Sequence, residues 1–322
     1  MLNTGFGERL PHTLRIPFSP TIFHEPWWLA RASGGAYQEV TADLGGQLAG
    51  RLPFIMHRWM KCFTTIHIPA LTHCLGPAIS PALDRPGAVK SFKPIQICAQ
   101  LLQQLPKAAH IWFRLHPDTT NTLAFETAGF SSNVQWSVEI APAASDVLWK
   151  QMRDKTRNAI RRAGDTLQVT ESDDEGFFLD FYNACLHEAG RRNSYDEDCL
   201  KQLGAEILLR NRGRVLVAAR ADGTPQAAIL TVWDTRREYY FMSSRQPGAH
   251  FGAVNLLLWH ALQNAAARGR IFDMDGIHVV GTQTPNLLLL SGFGGSIVPR
   301  YCVSRSSATG NILRKTGRAF RR

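Results

Sequence analysis

One stretch of the chain, residues 237–276, limits most strongly what the protein can fold into. Residues 238–244 are rich in aromatic side chains and predict a strand that ends in a glycine-containing turn. From Val254 onward apolar residues recur at helical spacing, and in the strand predicted at 270–275 apolar and acidic side chains alternate over residues 272–275. This order of strand, turn, helix and strand predicts an α/β unit in which the two strands run parallel.

The turn between the first strand and the helix is expected to bind an anion. Gly248 and Gly252 let the backbone turn tightly and approach a ligand, and Arg245 adds a positive charge. At the N-terminus of the helix, unpaired N–H groups and the positive end of the helix dipole both favour phosphate. An ordinary turn before a helix is the alternative interpretation, and the sequence leaves it open.

The second strand of the stretch carries two carboxylates on one face. Asp273 and Asp275 alternate with Phe272 and Met274, which point to the opposite face. Chemistry is common at the end of a parallel strand pair that lies nearest an anion site, and paired carboxylates can serve as a general base. A capped strand end or an ion pair with a basic helix would use the same residues, so one of the two acids could be structural.

The composition is that of a soluble globular protein with room for two domains. The chain has 322 residues, of which 44% are hydrophobic and 19% charged. Residues 1–15 lack the apolar core of a signal peptide, and no apolar run approaches the roughly 20 residues of a membrane span, so we expect a cytoplasmic protein. The six cysteines show no zinc-site spacing with histidines, so we expect neither a metal site nor a disulfide.

The net charge of +10 favours an anionic partner only in general terms. Coenzyme A, a nucleotide sugar, an acidic polysaccharide, tRNA or a membrane surface would all fit, and many basic enzymes bind no polymer at all. Three common enzyme signatures are absent from the sequence, namely a Walker loop, a G-x-S-x-G elbow and a G-x-G-x-x-G fingerprint. Charge therefore does not choose the partner, and the missing motifs argue against a Ser-His-Asp hydrolase and a dinucleotide-binding enzyme.

The N-terminal part of the chain repeats the order of elements in the C-terminal part. Strands are predicted at residues 48–60 and 62–71, a helix at 95–105, a strand at 110–115 and a helix at 120–130. The C-terminal part likewise shows a strand pair, a connection, a helix, a strand and a helix that ends in Gly-Phe. The repeat predicts two similar units in tandem.

The predicted boundaries divide the chain into an N-terminal unit at residues 1–140, a C-terminal unit at 146–308 and a basic tail at 309–322. In the first unit the connection 80–87 contains prolines, which lack the N–H donors of a phosphate cradle. We therefore expect only the second unit to bind a phosphate-bearing ligand. The tail is expected to be disordered, with at most a weak electrostatic contact to an anionic membrane surface.

A basic helix is predicted directly after the linker, capped by Ser145 or Asp146. Four cationic side chains follow one another along a single stripe of this helix, with apolar residues opposite. These four are Lys150, Arg153, Arg157 and Arg161. The stripe predicts a basic ridge that faces either solvent or a cleft.

The order of elements resembles the acyl-CoA binding motif of the GNAT superfamily. Residues 245–248, Arg-Gln-Pro-Gly, match the first half of its R/Q-x-x-G-x-G/A turn, whereas Gly252 comes two residues later than the motif requires. The chain is also similar to the branch that contains Fem-type (FemAB) peptidyltransferases and BioF2-like or CelD-like acetyltransferases. Residues 155–163 resemble the basic helix that opens the second domain in that branch, and residues 272–276 resemble its aromatic-Asp-x-x-Gly element.

The resemblance implies a fold and a function. The implied fold is α/β, with tandem GNAT-like units that are each a mixed sheet flanked by helices. The implied function is acyl-CoA dependent N- or O-acyl transfer to a sugar or a cell-envelope or exopolysaccharide precursor. Acetyl-CoA or another acyl-CoA would be the co-substrate. Two alternatives stay open: a Fem-type peptidyltransferase that uses aminoacyl-tRNA, and a non-catalytic binding module in polysaccharide assembly.

The resemblance also implies roles for individual residues. Asp273 or Asp275 would act as the base and Tyr239 as the acid, although core packing is a simpler role for a tyrosine in this strand. An anionic acceptor would contact Lys155, Arg157 and Arg161. Acyl-CoA would be bound by the turn and the end of the strand before it, through Ser243, Ser244, Arg245, Gln246, Gly248, Gly252 and Ala253.

Overall fold

The computed structural model describes residues 18–59, 63–81, 83, 92–277, 284 and 286–307. Most of the proline-containing connection 80–87 and the whole of the predicted tail lie outside the described residues. No helix in the described part of the chain is both long enough and apolar enough to cross a membrane.

The strands of the described residues join in one mixed sheet. They are β1 (Tyr37–Leu44), β2 (Gln47–Trp59), β3 (Phe63–His67), β4 (Ala78–Ile79), β5 (His110–Arg114), β6 (Ser131–Ile140), β7 (Gln168–Ser172), β8 (Gly213–Ala219), β9 (Pro225–Trp233), β10 (Arg237–Arg245), β11 (Ile271–Gly276) and β12 (Ser296–Ser306). Their order across the sheet is β1-β2-β3-β5-β12-β6-β11-β10-β9-β8-β7, and β4 pairs with β2 beside this path.

The helices flank this sheet. They are α1 (Pro26–Ala32), α2 (Lys93–Gln103), α3 (Leu123–Thr127), α4 (Ser145–Gln151), α5 (Asp154–Gly164), α6 (Phe177–Glu188), α7 (Glu197–Leu209), α8 (Ala253–Ala267) and α9 (Leu287–Leu290). Short 3-10 turns precede α1 and follow α9.

Three apolar cores lie between the helices and the sheet. The first packs α4, α5 and α8 on the C-terminal strands, and the second packs α2 and α3 on the N-terminal strands. The third packs α1, α6 and α7 on the other face of the C-terminal strands. Successive side chains of β8 point to opposite faces of the sheet. Leu216 therefore packs in the first core, whereas Val215 and Val217 pack in the third.

The predicted repeat of two α/β units is confirmed. In the first half β3 and β5 are parallel neighbours in the sheet, and α2 connects them along the chain. In the second half β10 and β11 are parallel neighbours, and α8 connects them in the same way. Each unit is thus built around two parallel strands with a helix in the crossover between them, as the sequence pattern indicated.

The two halves share one sheet, because their strands interleave at the centre. The last strand, β12, lies between β5 and β6 and pairs antiparallel with both. β6 in turn pairs with β11 of the second half. A backbone ladder therefore crosses the predicted boundary near residue 140, and the halves are joined by hydrogen bonds as well as by packing.

The predicted basic helix is wrong in one respect, because it is broken into α4 and α5. Met152 and Arg153 have extended backbone angles, with ψ of 150° and 145°. The Met152 side chain is buried in the first core, and the Arg153 N–H donates to the Gly292 carbonyl at 3.0 Å. The predicted cap is also wrong, since the N-cap of α4 is Ala144 and no side chain caps it among the described residues.

Candidate active site

A gap opens in the sheet where β10 and β11 stop pairing. Their parallel ladder ends at the pair Tyr239 and Asp273, although β10 runs on to Arg245. β11 instead follows β6, with an irregular register between Asp273 and Gly276. On the other side of the gap, β10 has a bulge against β9 between Tyr240 and Met242. Backbone groups of two separating strands thus border this space.

Asp273 lies beside the gap but is held in the sheet. The residue is 4% exposed, and its carboxylate accepts hydrogen bonds from Arg300 Nη2 at 2.7 Å and Ser137 Oγ at 2.6 Å. The N–H of Asp275 donates to the same carboxylate at 3.0 Å. Because the carboxylate oxygens of Asp273 already accept these three bonds, the geometry favours a structural role for this residue over a role as a base.

Asp275 lies at the open end of β11 in an unusual conformation. Its φ angle is +60°, in the left-handed region that residues other than glycine rarely adopt. The Ser137 hydroxyl lies 2.7 Å from its carbonyl and shares its single proton between this carbonyl and Asp273, and Arg114 Nη1 donates to its carboxylate at 2.9 Å. The side chain remains 29% exposed. A non-glycine residue in this conformation, at the edge of a gap, is typical of a functional position.

The carboxylate of Asp275 is kept ionised. Burial alone would raise its pKa, but the charges of His73 and Arg114 and the hydrogen bonds from Arg114 and the Gly276 backbone outweigh burial and lower the pKa to about 2. A carboxylate with so low a pKa is a weak base near neutral pH but can orient a neighbouring proton acceptor.

Side chains of the first half contact this carboxylate, and two tyrosines of the second half interact with it electrostatically. His73 comes from the loop after β3, and its Nδ1 lies 3.6 Å from Asp275 Oδ1. From the second half, the charge of Asp275 contributes to raising the pKa values of Tyr195 and Tyr240, in each case after the larger effect of burial. Both hydroxyls are therefore within electrostatic range of the carboxylate, and the cluster lies where the two halves meet.

Tyr239, the predicted acid, lies in the third core. It is 2% exposed, and its hydroxyl donates to Asp234 Oδ2 at 2.9 Å. Burial and then the charge of Asp234 raise its pKa well above the usual value. The geometry therefore assigns Tyr239 to packing. Tyr240, its neighbour, is the tyrosine that borders the gap, and its hydroxyl donates to Ser243 Oγ.

The turn between β10 and α8 has the features of an anion site. Gly248 has a φ of +77°, and a side chain added there would meet nothing within 4 Å, so the backbone is open to a ligand. Arg245 is exposed, and no side chain caps α8 among the described residues. The residues present thus fit a phosphate group, which unpaired N–H donors and the helix dipole would bind.

Gly252 has a different role from the one the turn pattern suggests. A side chain added at Gly252 would lie 2.3 Å from the Ala159 carbonyl oxygen of α5. This glycine is therefore required for α8 to pack closely on α5. A ligand contact at Gly252 stays a prediction, and the other anion-binding features cluster around Arg245 and Gly248.

The predicted acceptor-binding cations have local partners. Arg157 Nη1 donates to the Trp149, Lys150 and Met152 carbonyls at 3.3, 3.2 and 2.7 Å, so it caps the C-terminus of α4. Arg161 lies over the Trp149 ring, 5.3 Å from its centroid. Lys155 is exposed. Arg157 thus acts within the fold, whereas an acceptor contact by Lys155 or Arg161 stays a prediction.

Sequence reasoning missed three residues of the site: His73, Arg114 and Arg300. All three belong to other strands or loops than the acids they contact, and Arg114 is 161 residues from Asp275. The one available signal was the position of Arg114, a charged residue in an otherwise apolar predicted strand. Such a residue needs a partner when the strand is central, but the sequence does not say which one.

Comparison with known families identifies the class of this domain. Residues 150–278 match the model of the acetyltransferase (GNAT) domain, a range that contains the gap, the anion turn and Asp275. This part of the chain is therefore similar to a GNAT domain, and the protein is an enzyme of the acyltransferase class. A search of curated protein sequences finds no match.

Solved structures share the fold of about 90% of this chain. FemX is similar over 90% of this chain and 93% of its own, with a TM-score of 0.65 and 10% identity. The C-terminal domain of a protein described as a putative lysylphosphatidylglycerol synthetase from Agrobacterium fabrum is similar over 90% of this chain and 89% of its own. The TM-score is 0.59 and the identity is 12%. L-PGS from Bacillus licheniformis is similar over 91% of this chain and 92% of its own, with a TM-score of 0.53 and 13% identity. The similarity covers both halves and concerns the fold.

Proposed function

We propose that the protein transfers an acyl group from acyl-CoA, acetyl-CoA in the simplest case, to an amino or hydroxyl group of a sugar or cell-envelope precursor. The observation that carries the proposal is the gap between β10 and β11, which opens beyond Tyr239 and Asp273. The C-terminal end of β10 leads to the anion turn, and its middle, at Phe241, contacts His73 of the Asp275 cluster. A donor bound at the turn and an acceptor bound at the cluster could therefore meet in the gap.

The donor side uses the turn around Arg245 and Gly248. The pyrophosphate of acyl-CoA would accept hydrogen bonds from the backbone N–H groups at the start of α8, and Arg245 would supply a positive charge. The pantetheine arm would then follow β10 towards the gap. Its thioester carbonyl would come near the bulge between Tyr240 and Met242, where backbone N–H groups could stabilise a developing oxyanion.

The acceptor side uses the cluster at the meeting of the two halves. Asp275 supplies a fixed negative charge, and the hydroxyls of Tyr195 and Tyr240 supply neutral hydrogen-bonding groups. A carbohydrate offers matching donors and acceptors, and an amino sugar adds a positive charge for the carboxylate. This chemistry favours a polar acceptor over an apolar one.

Calorimetric titration of acetyl-CoA into the purified protein tests the donor. We expect micromolar binding, reduced about tenfold in Arg245→Ala because a charge contact to phosphate contributes on the order of 1–2 kcal/mol. Arg220→Ala is the matched control, since Arg220 is an exposed arginine in the turn between β8 and β9. Absence of binding to the wild-type protein would contradict the acyl-CoA proposal.

A second candidate is transfer from aminoacyl-tRNA, as in Fem-type enzymes. The net charge of +10 and the similarity to FemX over 90% of the chain support it. A filter-binding measurement with bulk aminoacylated tRNA separates the candidates. Submicromolar, strongly salt-dependent tRNA binding together with no acetyl-CoA binding would favour the second candidate, because phosphate contacts release counterions.

A further inference from the structure

We propose that His73 is the general base of this enzyme and that Asp275 orients it. The proposal rests on the proposed function and adds a catalytic residue to it. His73 belongs to the N-terminal half of the chain, outside the GNAT domain at residues 150–278. The active site is then composed of both halves, and the GNAT domain alone lacks its proton acceptor.

The His73 ring is fixed by its surroundings. It lies 5.3 Å from the Phe23 ring and 5.0 Å from the Phe241 ring, tilted by 30° and 34° respectively. Its Nδ1 faces Asp275 Oδ1 at 3.6 Å and is shielded from solvent. A small closing movement would convert this distance into a hydrogen bond from Nδ1–H, which selects the tautomer with a free lone pair on Nε2.

The other ring nitrogen is available for chemistry. Nε2 has no hydrogen-bond partner among the described residues, and the His73 side chain is 17% exposed. Since Nδ1 is shielded, the ring is oriented with one nitrogen on the carboxylate and the other directed away from it. This is the arrangement in which a carboxylate holds an imidazole as a base.

The position of His73 also matches the gap. Its ring contacts Phe241, the residue at the β10 bulge, on one side of the gap. Its Nδ1 faces Asp275, at the end of β11, on the other side. His73 thus spans the two strands where they separate, where a thioester carbonyl that follows β10 would be exposed to an acceptor.

In the proposed step His73 accepts a proton from the acceptor and later returns it to the departing sulfur. The lone pair of the acceptor nitrogen or oxygen forms a bond to the thioester carbonyl carbon, and the acceptor proton passes to Nε2 of His73. The carbon–sulfur bond then breaks, and sulfur leaves with the bonding electrons as a thiolate. The imidazolium returns the proton to the thiolate, which restores neutral His73. Throughout the step Asp275 remains ionised and stabilises the imidazolium.

Steady-state kinetics with acetyl-CoA and glucosamine as the probe acceptor test this role. We expect His73→Gln to lower kcat by about 100-fold or more, in the range of general-base removal, with an unchanged dissociation constant for acetyl-CoA. His187→Gln, which changes an exposed histidine of α6, should leave kcat unchanged. Unaltered kcat in His73→Gln, with acetyl-CoA still bound, would overturn the proposal.

A second measurement is independent of the acceptor. Diethyl pyrocarbonate acylates accessible neutral imidazoles, and peptide mass spectrometry locates the modified residues. We expect modification of His73 that bound acetyl-CoA slows at least fivefold, whereas the exposed His187 reacts at the same rate with and without it. If acetyl-CoA binds but does not protect His73, or if His73 does not react, the proposal is wrong. If acetyl-CoA does not bind the wild-type protein, the proposed function itself fails.

Discussion

Two acids two residues apart in one strand have different surroundings and, in this account, different roles. Asp273 faces Arg300 within the sheet, whereas Asp275 faces Arg114 and His73 at the open end. The sequence shows the spacing that puts both carboxylates on one face. It does not show which arginine each one meets, because those partners come from other strands. Burial and partner geometry, rather than residue type, separate the structural acid from the one at the site.

Replacing Asp273 tests the structural role. Asp273→Ala would leave the buried Arg300 with Glu139 as its remaining carboxylate partner, at 2.7 Å. We expect the free energy of unfolding to fall by about 3 kcal/mol, the lower end for breaking a buried ion pair. Urea denaturation measures this free energy. The control is Asp165→Ala, which changes an exposed aspartate and should unfold with a free energy within about 0.5 kcal/mol of wild type. Equal stabilities of the two variants would contradict this role.

The low pKa of Asp275 predicts a specific pH dependence of stability. Its folded-state pKa of about 2 is below the ordinary carboxyl value, so the ionised form stabilises the fold above about pH 4. As pH falls from about 4 towards 2, this contribution, about 2 kcal/mol, is lost. Urea denaturation of wild type and Asp275→Asn at several pH values should show a stability difference that shrinks over that window. A difference that is constant from pH 6 to 3 would contradict the assigned surroundings of Asp275.

At the scale of the elements, the sequence predicted the α/β units well because their signals are local. Helical spacing after Val254 and alternation before Gly276 each depend on neighbouring residues only. The break between α4 and α5 was missed because its cause is not local. The Arg153 N–H bonds to Gly292, and the helical periodicity continues across the break. The periodic pattern therefore predicts which helices and strands form more reliably than it predicts where they begin and end.

Gly252 illustrates the same limit and leads to a prediction. A glycine in a turn can admit a ligand or another helix, and here the close neighbour is the Ala159 carbonyl of α5. We expect Gly252→Ala to lower the free energy of unfolding by about 1–3 kcal/mol, because the added methyl forces α8 away from α5. Gly164→Ala is the control, since that helical position has open space and should gain up to about 1 kcal/mol. Thermal denaturation of both variants makes the comparison, and unchanged stability of Gly252→Ala would show that the helices do not pack this closely.

Arg157 gives a second prediction at this scale. Its guanidinium donates to three carbonyls at the C-terminus of α4, so Arg157→Ala should destabilise the fold by about 2 kcal/mol. Arg162→Ala, on the exposed side of α5, should have little effect. Urea denaturation measures both variants. If Arg157→Ala is as stable as the wild-type protein, the capping role is wrong. Contact with the acceptor is then the remaining prediction for Arg157.

At the scale of the whole molecule, the two halves form one structure with a site between them. The sheet is continuous from β1 to β7, and β12 from the end of the chain completes the N-terminal strands. The repeat of elements predicted two units but not this interleaving, since strand partners are chosen by long-range packing. The same interleaving brings Arg114 and His73 of the first half to Asp275 of the second. In the proposed mechanism the first half thus contributes the proton acceptor of the site.

The most direct test of acyl transfer at this shared site is the release of free thiol from acetyl-CoA with a panel of amino sugars and their nucleotide conjugates. Mass spectrometry of the sugars identifies the product. Our account predicts thiol release matched by an acetylated sugar, and a rate at least about 100-fold lower in Asp275→Asn. An acetylated sugar formed at the wild-type rate by Asp275→Asn, or no thiol release by a wild-type protein that binds acetyl-CoA, would contradict it.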